Sequence, residues 1–106
     1  MIISTTETIP GKKITSVVGI ARGSTVRARN IGSDFLAGIK NVIGGEIDEY
    51  TKLQSQSRDQ AIERMMNDAR RMNADAIVNV RLATSMVMQG ASEILAYGTA
   101  VMLEDV

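Results

Sequence analysis

The chain has 106 residues, room for one domain spanning 1–106 with one core. Its twelve basic and twelve acidic side chains cancel, which removes the long-range pull toward nucleic acid or anionic membranes. With no Cys and no His, disulfides, thiolate nucleophiles, imidazole acid–base groups and the usual zinc sites are excluded.

Read in chain order, 1–4 is short and β-branched, without the long apolar run of a signal peptide, and Pro10-Gly11 marks a turn. Residues 13–26 are rich in Val, Ile and Thr, with Ile14, Val18 and Ile20 on one parity. They predict one long strand or two shorter ones, with Gly19 and Gly23 as places for bends or bulges. Ser33 suits the cap of a short helix carrying Phe35, Leu36, Ile39 and Val42 on one side, and Gly44-Gly45 ends it. A longer helix is expected over 46–72, with Tyr50, Leu53, Ser57, Ala61, Met65, Ala69 and Met72 forming its inner stripe at spacings of three or four. Arg64 and Asp68 fall at i,i+4 on an exposed face, and Asn73 suits a left-handed cap.

Two strands follow. Over 76–88 Val78, Val80, Leu82 and Met86 read as one face and Asn79, Arg81 and Ser85 as the other, and Gln89-Gly90 turns the chain. The last strand, 93–103, is apolar on both parities: Ile94, Ala96 and Met102 on one, Leu95, Val101 and Leu103 on the other. Helices cover one side of such a sheet. In a chain this short the expected cover of the other is a second subunit.

Arg29-Asn30-Ile31, Ile43-Gly44-Gly45-Glu46 with Tyr50, 61–65, the run 73–78, Val80-Arg81 and the run 93–101 together resemble the YbjQ-like family of small prokaryotic proteins. The likeness covers nearly the whole chain. It implies a small ββααββ α+β subunit, with an antiparallel sheet packed by one short and one long helix, assembled into a ring, a homopentamer. It brings no reaction. The family's label of "putative heavy-metal-binding" sits badly with a chain that lacks Cys and His.

Chemistry-bearing residues each have a structural reading as well. Glu46, Asp48 and Glu49 are an oxygen-rich cluster of the kind that holds Ca²⁺ or Mg²⁺, but acidic residues also favour the positive end of a helix. Arg29, Asn30 and Arg81 suit an anionic ligand, while Arg81 and Glu93 suit a cross-strand or intersubunit ion pair. The ligand-pocket candidates are Arg29, Asn30, Glu46, Tyr50, Arg81 and Glu93. No catalytic residue, cofactor or metal ligand is expected. Three scattered aromatics argue against a single-strand nucleic-acid surface. The sequence favours a non-enzymatic, ring-forming, cytoplasmic binding or scaffold protein, with itself as partner and neither nucleic acid nor membrane as another. A cation-binding protein using the acidic cluster, and an enzyme placing Arg81, Glu46 and Tyr50 at a subunit interface, are the alternatives.

Overall fold

The computed structural model describes residues 1–28 and 46–106, with the side chains of 1–26 and 55–106. Its elements are β1 (Ile2–Ile3), β2 (Lys12–Ala28), α1 (Glu46–Arg71), β3 (Ala76–Met88) and β4 (Ala91–Asp105). The four strands form one sheet in the order β1-β3-β4-β2. The described residues therefore hold one helix, not the two expected. The short helix read around Ser33–Val42, with Gly44-Gly45, lies outside them.

The sheet is mixed rather than antiparallel. β2–β4 and β3–β4 are antiparallel, but β1 runs parallel to β3, with Ile2 opposite Ala76 and Ile3 opposite Ile77. The reason lies in the connection. β1 and β2 occupy opposite edges, so 4–11 crosses the sheet between them and lays Ile9 on Ala76, Val78 and Val101. That crossing returns the chain to its starting direction.

The helical stripe forms as its spacing requires. Ser57, Ala61, Met65 and Ala69 are buried, and Met72 packs at the margin. They meet Ala21, Ile77, Val80, Ile94, Ala96 and Ala100 on one face of the sheet. Each large apolar side chain removed from water there contributes about 1.5–3 kcal/mol. The helix ends at Arg71, where Asn73 takes φ 60 in the left-handed cap.

Two glycines are fixed by close approach. A Cβ on Gly23 would stand 2.2 Å from the Met65 amide nitrogen and 2.5 Å from the Ala61 carbonyl oxygen, so α1 rests directly on β2 there. A Cβ on Gly98 would meet Ile77 Cγ2 at 2.6 Å, opposite an irregularity in β3. Gly23 is thus a contact point for the helix rather than a bulge. The shifts in β2 register fall between Ile14 and Ser16 and between Val17 and Gly19.

The irregularity in β3 corrects the expected alternation. Val78 pairs with Thr99 and Arg81 with Tyr97, which leaves Asn79 and Val80 facing Gly98. Asn79 adopts φ 54, a conformation Asn tolerates better than most residues. The bulge reverses the parity: Ile77 and Val80 face the helix, whereas Val78 lies on the far side with Ala76 and Val101. Val78 and Val80 do not share a face.

Arg64 and Asp68 make no i,i+4 ion pair. Arg64 Nη1 donates to the Ser24 carbonyl at 2.6 Å, and the Arg22 amide donates to Asp68 Oδ2 at 3.0 Å. Asp68 pairs instead with Arg71, at 3.2 Å. The helix thereby closes backbone groups on the outer edge of β2, which would otherwise be open to pairing.

Candidate functional site

The face of the sheet turned away from α1 divides into two parts. At its base, Ile9, Ile14 and Leu103 cover Ala76, Val78 and Val101. The chain thus covers half of that face itself. The cover does not reach Val17, on the β2 edge of the Val101 rung, which is 67% exposed, and it stops before Ile20 and Val26, farther along β2, which are 70% and 58% exposed. Register places Ile20 beside Thr99, Arg22 beside Tyr97 and Val26 beside Glu93 on this open part. Along β2 this face runs Val17, Ile20, Arg22, Ser24, Val26, so exposed aliphatic side chains are interspersed with Arg22 and Ser24 and neighboured by Tyr97 and Glu93, a mixed surface suited to another protein rather than to a small molecule.

The sequence-derived candidates are not gathered into one pocket. Arg29 and Asn30 lie outside the described residues. Glu46 and Tyr50 fall in the first turns of α1, where only the backbone is described. Arg81 and Glu93 are on paired strands, but Arg81 stands opposite Tyr97 and Glu93 opposite Ser85. Four residues of strand separate them, about 13 Å, too far for an ion pair. Arg81 instead holds the backbone together. Its Nη1 donates to the carbonyls of Thr5 and Val80, both at 2.9 Å, tying the amino-terminal segment to β3. Neither Ile20 nor Val17 was distinguishable in sequence from a core residue, because the cover of this face depends on where 4–11 crosses.

At the base of the sheet, Ile2, Lys12, Asp75, Leu103, Glu104 and Asp105 line an open depression of about 450 Å³. Three of its charged side chains, Lys12, Asp75 and Asp105, are engaged within it. Asp75 Oδ2 accepts the Leu103 amide at 2.9 Å, and Lys12 forms an ion pair with Asp105, its cross-strand neighbour. The hydrogen bond and charge of Lys12 hold the Asp105 carboxyl below its ordinary value. This depressed value makes the pair favour the folded chain above the unfolded carboxylate pKa, and the benefit is lost as pH falls through the folded value. Lys12→Met is expected to raise the Asp105 pKa toward that of a free carboxylate. A carboxyl-carbon NMR titration reads it directly, and an unmoved midpoint would disprove the pairing.

Among the described residues, no group of three or more His, Cys, Asp or Glu side chains is placed to share a metal ion. Among them, too, no helix is long and apolar enough to cross a membrane.

A helix laid over a four-strand mixed sheet, with the far face half open, defines a small two-layer α+β domain. The chain belongs to the YbjQ-like family: residues 1–104 match the family model described as "Putative heavy-metal-binding". It is 58% identical over 101 residues to a UPF0145 protein of Methanosarcina acetivorans, covering 95% of each chain. A UPF0145 protein of Archaeoglobus fulgidus is 52% identical over 103 residues, with 97% of this chain and 95% of that one covered. A crystal structure from Pediococcus pentosaceus, described as a protein with unknown function of the DUF74 family, superposes with a TM-score of 0.59. That match has 22% identity and covers 98% of both chains, so it shows the fold alone. The relatives bring no activity with them, and the function of the family is unknown.

Proposed function

We propose that the chain is one subunit of a closed homo-oligomeric ring of five, a non-enzymatic cytoplasmic binding or scaffold protein. The observation that carries this reading is the open half of the sheet face, where Val17, Ile20 and Val26 stand in water. Leaving three such side chains wet forgoes several kcal/mol, a large part of the stability of a domain this size. The shape agrees. The Cα radius of gyration is 17.4 Å, against about 13 Å for a compact domain of this length, as suits a subunit completed by its neighbours. The count of five follows from the family resemblance.

Light scattering on the purified chain tests it. A ring of five 11.4 kDa chains has a mass near 57 kDa, or a multiple of that where rings associate. A cooperatively melting monomer at micromolar concentration would refute the assembly. A ring of another size would refute only the count. With zero formal net charge, added duplex DNA should produce no heavier species at about 150 mM salt.

A further inference from the structure

The two long edges of the sheet are treated differently. On β2 the helix occupies the outward groups at Arg22 and Ser24. On β3 the outer edge is occupied only at its start: Ser4 donates to the Ile77 carbonyl at 2.9 Å, and the amides of Asn79 and Val80 donate to Thr6 and Ser4 at 3.0 and 2.9 Å. Arg81 seals the end of that segment. Because the Val80 amide points outward, alternation turns the amides and carbonyls of Leu82, Thr84 and Met86 outward too. Among the described residues nothing pairs with those groups.

Residues 82–88, Leu-Ala-Thr-Ser-Met-Val-Met, carry no charge and no proline. The irregularity between Met86 and Met88 comes only at their end. The usual devices that blunt an edge strand are therefore missing from its first five residues. The adjoining surface is also uncovered. α1 lies mainly over β2 and β4, so on the helix side of β3 Leu82 and Met86 are 46% and 71% exposed.

We propose that this edge docks on the same edge of a second copy, the two β3 strands running antiparallel about a two-fold axis through Thr84. The register is self-complementary. Leu82 falls opposite Met86 of the second copy, Thr84 opposite Thr84, and Met86 opposite Leu82. Outward groups on 82, 84 and 86 then exchange about six backbone hydrogen bonds. Two aliphatic pairs and a Thr–Thr pair meet on one face, and both kinds stabilise cross-strand neighbours. Arg81 comes opposite Val87, so no like charges meet. The axis stands perpendicular to the sheet, which puts both helices on one side, with the exposed Leu82 and Met86 side chains joined in the trough between them. This contact uses an edge, whereas the ring reading uses the opposite face, and each stands without the other.

The chain has no cysteine, so Thr84→Cys introduces a single thiol. Paired residues of this kind lie about 5.5 Å apart at Cα, within reach of a disulfide. On mild oxidation Thr84→Cys should run as a covalent dimer on a non-reducing gel, while Val106→Cys, at the 92% exposed carboxy-terminal residue, should not. Thr84→Pro removes the central amide from the edge, a change an outward edge position tolerates. It should halve the mass in light scattering with the melting transition retained. If that variant fails to fold, Thr84→Lys sets two ammonium groups face to face and should halve the mass instead. Cross-linking no better than Val106→Cys, or an unchanged mass in the folded variants, would overturn the proposal. With 11.4 kDa chains, a wild-type mass near 57 kDa without cross-linking leaves the ring and sinks the edge contact. A mass near 23 kDa with cross-linking does the reverse, and a fall from about 114 to 57 kDa supports both.

Discussion

Gly23→Ala is expected to cost the subunit about 3 kcal/mol, the upper part of the usual range for overpacking, and to loosen α1 from the sheet. The added methyl meets backbone, not a side chain that could turn aside. It would lie 2.2 Å from Met65 N, 2.5 Å from Ala61 O and 2.6 Å from the Arg64 carbonyl carbon. Relief requires the helix to rise. That movement would stretch the Arg64–Ser24 and Asp68–Arg22 hydrogen bonds and the bond from Thr25 Oγ1 to the Ser57 carbonyl, 3.2 Å long and buried. Such a loss is a large fraction of a small domain's stability. Gly19→Ala is the matched control, since its Cβ would meet only Met72 Sδ at 3.6 Å, an ordinary contact. Urea unfolding of the two variants reads the difference. Equal midpoints would show that the helix does not rest on Gly23.

Val101→Asp should prevent folding, and Ile20→Asp should leave a folded chain that no longer assembles. Both residues are aliphatic and both lie on the face away from α1, so only their cover separates them. Val101 is 1% exposed within its own chain, under Ile9, Ile14 and Leu103. An unpartnered carboxylate there costs about 3–5 kcal/mol. Ile20 is 70% exposed, so a carboxylate there stays hydrated in the single subunit and becomes costly only when a neighbour covers it. Circular dichroism with light scattering distinguishes the outcomes. An assembled, folded Ile20→Asp chain would remove the open face from the interface.

The helix was legible because Ser57, Ala61, Met65 and Ala69 repeat at the helical period and nothing interrupts them. Strand content was legible for a similar reason, in the β-branched run of β2. The relation between strands was not. A two-residue β1 carries no signal of direction, so the parallel pairing with β3 could come only from the crossing of 4–11. Asn79 reads as the polar member of an alternating strand, whereas its left-handed backbone inserts a residue and sends Val78 and Val80 to opposite faces. β4 is apolar on both parities, so its pattern did not say which face is covered, or by what. Of the proposed site residues, Arg81 and Glu93 were correctly placed on paired strands, but their pairing depended on a register that composition does not encode. The open edge of β3 was equally hidden, since an edge exists only once the strand order is known.

The strand order also bears on how fast the chain can reach its fold. β3 and β4 form a hairpin across two residues, while the rungs of β2 with β4 run from Ala28–Ala91 to Lys12–Asp105, the last spanning 93 positions. Those distant rungs must wait for a long loop to close, and the entropy of closure is spent before any rung repays it. Contact order this high belongs to chains that fold in milliseconds to seconds rather than microseconds. During that interval the early hairpin would stand with the outer edge of β4 unpaired and its faces bare, so refolding at low concentration should give the higher yield.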